Sequence, residues 1–146
     1  MRSSSAVLLL AMTLSACSTP NRIPLWNIDI VPSASSDIDQ AAAAAQQIGF
    51  VPKDVPQTSE SFGVDKTATV LRVWYWPALP STSAGFFKDD ETGDNFLLFG
   101  DSQTEGQEII GRSCTKYLEF VQALKTRFGA ARLKFYKETC DPGSRR

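Results

Sequence analysis

The run TATVLRVWYW, residues 67–76, constrains this chain more than any other stretch. Seven of its ten residues are β-branched or aromatic, types that fit a pleated, half-buried surface. Pro77 stops it, because proline has no N–H to give to a ladder. A strand this apolar needs partner strands beside it and a second layer to cover it.

Three other stretches supply partners. LWNIDIV, 25–31, alternates Trp26, Ile28 and Ile30 with mostly polar neighbours. GFFKDDETGDNFLLFG, 85–100, reads as a hairpin of two apolar runs about an acidic, glycine-bearing tip. ARLKFYKE, 131–138, alternates Leu133 and Phe135 with Arg132, Lys134 and Tyr136. Two helices supply the cover. Residues 37–48 place Ile38, Ala41, Ala42, Ala45 and Ile48 on one face. Ser36 with Asp39 resembles a capping box at the start of that helix, and Gly49 fits its C-terminal end. Residues 113–128 place Cys114, Tyr117, Leu118, Val121, Leu124 and Phe128 on one face, with Lys116, Lys125 and Arg127 pointing away. Residues 51–66, with Pro52, Pro56 and Gly63, read as a loop, as do residues 77–84. This order predicts an α+β two-layer sandwich, an antiparallel sheet with two helices on one face. Its nearest common pattern is the ferredoxin-like βαββαβ arrangement.

The N-terminus predicts where such a domain lives. Met1-Arg2 is followed by a short apolar run, Ala6 to Leu14, and by Leu14-Ser15-Ala16-Cys17. The run is well short of the roughly 20 residues that span a bilayer, so it reads as an export signal. Small residues before a cysteine at this position resemble the lipobox of bacterial lipoproteins. That resemblance implies cleavage before Cys17, acylation of that cysteine, and palmitate-type chains in the membrane. Ser18 in place of an aspartate points to the outer membrane, facing the periplasm. The organisation expected is a signal at 1–16, a lipidated tether at 17–24, one domain at 25–141, and a tail at 142–146. A mature chain of 130 residues suits a single domain.

Cysteine and charge complete the frame. An oxidising compartment and an even remaining count predict a disulfide between Cys114 and Cys140. A helix over 114–128 advances about 21 Å. A strand over 131–139 returns about 26 Å, which brings the two cysteines to the same end, given a turn or bulge near Thr139. Residues 18–108 hold 5 Lys/Arg against 13 Asp/Glu, and residues 109–146 hold 9 against 3. The expectation is that these halves complement each other within one fold; the alternative is a basic face for lipid A phosphates.

NFLLFGDSQTEG, 95–106, carries the strongest hint of catalysis. Gly100-Asp101-Ser102 with Gly106 resembles the nucleophile segment of GDSL-type hydrolases, which would make Ser102 the nucleophile. That family uses a histidine base near the C-terminus and a later asparagine as an oxyanion donor. This chain has no histidine, and Asn21, Asn27 and Asn95 all precede Ser102. Ser144 stands where the histidine would follow Asp141. No catalytic residues are therefore expected, and 100–102 reads as a strand end. No metal site is expected either: Asp89, Asp90, Glu91 and Asp94 lack the spacing of a calcium loop and read as a solvated turn. No cofactor and no nucleic acid is expected.

The remaining candidate is a binding face. If Leu71, Val73 and Tyr75 turn toward the helices, Arg72, Trp74 and Trp76 lie on the open face. Arg132, Lys134 and Tyr136 would join them if the two strands adjoin. Aromatic rings beside cations stack on sugars and grip anions. The expectation is thus a small envelope lipoprotein with a non-catalytic accessory or binding role, its partner an envelope protein, a glycan or lipid A. The alternatives are an envelope hydrolase acting through Ser102 and a purely structural spacer.

Overall fold

The structure, a computed structural model, describes residues 26–54, 67–101 and 107–135, the last with side chains from Gly111 onward. The element order is β1 (Trp26–Ile30), α1 (Asp37–Gln47), β2 (Val51–Lys53), β3 (Ala68–Trp76), β4 (Leu79–Asp89), β5 (Asn95–Asp101), α2 (Gln107–Phe128), a 3-10 turn at Ala130–Arg132, and β6 (Leu133–Phe135). The strands form one six-stranded sheet in the order β2-β3-β4-β5-β1-β6, every neighbouring pair antiparallel. The α+β sandwich class expected from the sequence is the class observed. The sheet has six strands, two more than a bare βαββαβ unit, with β2 and β3 at one edge.

β1 is an inner strand, paired with β5 on one side and β6 on the other, so its alternating apolar residues sit at the heart of the sheet. Trp26, Ile28 and Ile30 are all buried. They share one core with Ala41, Ala44 and Ala45 of α1 and with Tyr117, Phe120, Ala123, Leu124 and Phe128 of α2. The alanine face lets α1 lie close to the sheet. Gly49 then takes a left-handed φ of 87° and returns Phe50 onto the last turn, where its N–H donates to the Ala45 carbonyl. Rings of Trp26, Phe50, Tyr117 and Phe120 surround Phe99, with centroids 5.3–5.9 Å away. Removing a ring such as Phe99 would cost about 3–5 kcal/mol.

A second, smaller cluster, Phe87, Phe96 and Leu98 with Ala68 and Val70 packed against it, lies apart from this core. The FLLF run of β5 serves both clusters by alternation, Phe96 and Leu98 to one, Leu97 and Phe99 to the other.

Four local expectations need correction. Residues 51–53 are an edge strand rather than loop; Pro52 is tolerated there because an edge leaves one side of the backbone unpaired. Residues 79–84 belong to β4, whose polar Thr82 is buried against partners on β5 and α2. Ser36 makes no capping bond through its side chain; the Asp37 carboxylate instead accepts from the Ala34 N–H at 2.7 Å. In α2 the buried face is rotated: Lys116 is 8% exposed and Leu118 is 44% exposed, the reverse of the expected arrangement.

Candidate functional site

The six residues expected to form one binding face do not come together. β3 and β6 are separated by β4, β5 and β1, four strand spacings or about 19 Å. A register shift between Val70 and Arg72 inserts an extra residue and reverses the face of everything after it. Val70 therefore packs on the small cluster, whereas Trp74 turns into the main core and is 3% exposed. Arg72 is exposed, and Trp76 packs at the core margin.

Arg132 of the 3-10 turn and Lys134 of β6 both face groups of the fold. The Arg132 guanidinium donates to the Pro32 carbonyl and to Asp37 Oδ1, the latter at 3.0 Å, and lies 5.5 Å from the Phe128 ring centroid. Lys134 stands directly across the ladder from Asp29. Tyr136, Cys17, Ser102 and Cys140 lie outside the described residues. Cys114 is 3% exposed on α2.

Asp37 is the hub of a polar cluster that the sequence does not announce. Its carboxylate is fully buried and takes three donors: the Ala34 N–H, Asn95 Nδ2 at 3.2 Å and Arg132. Ser33 extends the cluster by donating to the Ile30 carbonyl and accepting from the Asn95 N–H. The cluster ties the β1–α1 connection to the start of β5 and to β6. A cleft of about 300 Å³ opens beside it, lined among others by Ser35, Ile38, Leu71 and Lys88. The Ser33 hydroxyl and the Asn95 amide on its wall are already spent on protein partners.

A second buried polar cluster joins Thr82, Asp101 and Ser113. Ser113 Oγ donates to Asp101 Oδ2, Thr82 Oγ1 donates to the same oxygen at 3.4 Å, and the two hydroxyls are 3.1 Å apart. Each residue is almost completely buried. The aspartate of the GDS run therefore binds the start of β4 to α2. Both hydroxyls face a carboxylate inside the protein and are almost fully buried.

Lys116 lies beside this cluster at the sheet's margin. Its ammonium is 4.7 Å from the Trp76 ring centroid and 2.9 Å from Glu119. The long aliphatic stem explains how a lysine occupies a nearly buried position: carbon covers the ring and the head reaches a carboxylate.

The acidic tip of the β4–β5 hairpin spends its first two carboxylates on its own geometry. Asp89 accepts the N–H groups of Glu91 and Thr92, and Asp90 accepts the Thr69 hydroxyl at 2.7 Å. Gly93 closes the turn with a φ of 75°. Among the described residues no group of three or more metal-ligating side chains gathers.

An open groove of about 680 Å³ runs between the end of α1 and the outer face of α2. Ile48, Leu118 and Ala123 give it an apolar floor, and Gln47, Thr115, Gln122 and Thr126 a neutral rim. Leu118 is the signal the sequence held for this groove: an apolar residue left outward when the buried face of α2 turns toward Phe120 and Ala123. No protein family, curated protein or solved structure matches the chain.

Proposed function

We propose that this chain is a lipid-anchored outer-membrane protein facing the periplasm, with a non-catalytic role in binding another envelope protein. The observation that carries the binding role is the α1–α2 groove. Its lining holds no lysine or arginine, so it offers nothing to the phosphates of lipid A, and its one acid, Glu119, is paired with Lys116. An apolar floor with a neutral polar rim fits an amphipathic segment of a protein. The lack of any histidine to serve as base favours this reading over a hydrolase acting through Ser102.

The anchor rests on the lipobox-like LSAC at residues 14–17. A Cys114–Cys140 disulfide accords with the course of β6. That strand runs from Leu133 opposite Ile30 to Phe135 opposite Ile28, toward the end where Trp26 stacks on Tyr117 of α2 at 4.8 Å.

The test is made in intact cells. Cys17→Ser should move the protein from the membrane to the soluble fraction. A photo-crosslinking side chain at Leu118 should capture a discrete protein that the same group at Thr92 does not, and Leu118→Glu with the crosslinker at Gln122 should abolish the adduct. Equal capture from both positions, or an adduct indifferent to Leu118→Glu, would remove the groove from the proposal.

A further inference from the structure

The two ends of the sheet differ in chemistry, and β1 runs from the side of one toward the other. β1 begins with Trp26 opposite Phe99, near the end of β5. The β3–β4 turn is at that same end, since Thr82 of β4 stands opposite Asp101 and Trp76 stands opposite Leu79. The β4–β5 tip, residues 90–94, is at the other end. Between Val73 and Phe87 there is no charged residue in fifteen positions, whereas the far tip carries Asp89, Asp90, Glu91 and Asp94 within six. The turn displays Tyr75, Trp76, Pro77, Ala78, Leu79 and Pro80, each exposed or half-buried. Lys116 lies over Trp76 as the nearest cation.

We propose that this end, the aromatic and uncharged β3–β4 turn with Lys116 behind it, rests on the phospholipid surface and that the acidic tip points away from it. The proposal rests on the lipid anchor at Cys17. Charge fixes the direction. Trp26 lies level with Ala84, midway along β4, so nine residues from Cys17 to Leu25, with a reach of at most about 30 Å, serve either end. With the tip downward, or with the domain flat, the tip carboxylates would press against an anionic surface. Tryptophan and tyrosine favour the headgroup layer, where an apolar ring and a polar edge are both accommodated. Among the described residues no helix is long and apolar enough to cross the membrane, so the contact is one of apposition.

The experiment uses the full chain, exported with its leader and purified with its acyl chains. It is reconstituted into phosphatidylethanolamine–phosphatidylglycerol vesicles carrying a nitroxide on the headgroup. A genetically encoded fluorescent side chain is placed at Ala78 in one preparation and at Thr92 in another. The expected result is loss of most of the emission at position 78 and little loss at position 92, both recovering when Cys17→Ser frees the protein from the vesicles. Equal quenching, or stronger quenching at 92, in protein that floats with the vesicles overturns the orientation and leaves the anchor standing. Failure of the Cys17-bearing chain itself to float, with an unacylated mass, overturns the anchor reading and this proposal with it.

Discussion

Asp37 offers the sharpest test of how this fold closes. All three of its partners are donors: the Ala34 N–H and Asn95 Nδ2 on one oxygen, Arg132 on the other. Only a group with acceptors on both arms satisfies that arrangement, so Asp37→Asn must turn a donor toward a donor. Breaking a buried charge pair costs about 3–5 kcal/mol. The Arg132 side chain is 31% exposed and keeps the Pro32 carbonyl, so water recovers part of that loss. The expected cost is about 2 kcal/mol for Asp37→Asn and about 3 kcal/mol for Asp37→Ala, which also strips the Ala34 N–H of its acceptor. With a urea slope of about 2 kcal/mol per molar, Asp37→Ala lowers the unfolding midpoint by about 1.5 M. Urea unfolding followed by circular dichroism and tryptophan emission measures this, and Arg132→Ala completes a double-mutant cycle. A midpoint for Asp37→Ala within about 0.3 M of the parent, or strict additivity with Arg132→Ala, would refute the reasoning.

Gly85→Ala should destabilise by about 1–3 kcal/mol, because the new methyl would sit 2.6 Å from Cε2 of the Phe87 ring that lies over the glycine. The penalty should shrink in a Phe87→Leu background, read from the same urea transitions. Ser113→Ala should cost about 1–3 kcal/mol by removing a buried donor to Asp101. Thr115→Ala, whose exposed hydroxyl bonds only its own helix at the Gly111 carbonyl, should fall within about 0.5 kcal/mol of the parent by thermal unfolding.

The elements that local pattern announced are those whose burial follows a simple period. Trp26, Ile28 and Ile30 alternate and are buried, and the alanines of α1 share a face that Gly49 ends. What the pattern concealed depends on distant partners. The polar start of β4 is strand because Thr82 finds Asp101 and Ser113, 19 and 31 residues away. β2 is strand because a three-residue segment with a proline meets the edge of β3. Most consequential is the register shift near Leu71, one inserted residue that no alternation rule detects. It sends Trp74 inward and dissolves the binding face that strict alternation had built from Arg72, Trp74 and Trp76. In α2, Leu118 and Val121 broadened the apolar stripe, so sequence alone could not place its centre near Phe120.

The same shift in perspective explains the uneven charge of the chain. Its first part is acidic and its last part basic, a split that permits either an anion-binding surface or internal complementarity. Two of the basic residues lie along one seam of the fold. Lys134 faces Asp29 across β6 and β1, and Arg132 holds Asp37 where α1 begins. A cross-strand pair of opposite charges contributes about 0.2–1 kcal/mol, and the half-buried Arg132 pair more. These contributions fall where β6 pairs with β1, beside Leu133 in the main core. Arg132, held by Asp37 and the Pro32 carbonyl, is thereby committed to closing the fold rather than to gripping an external polyanion.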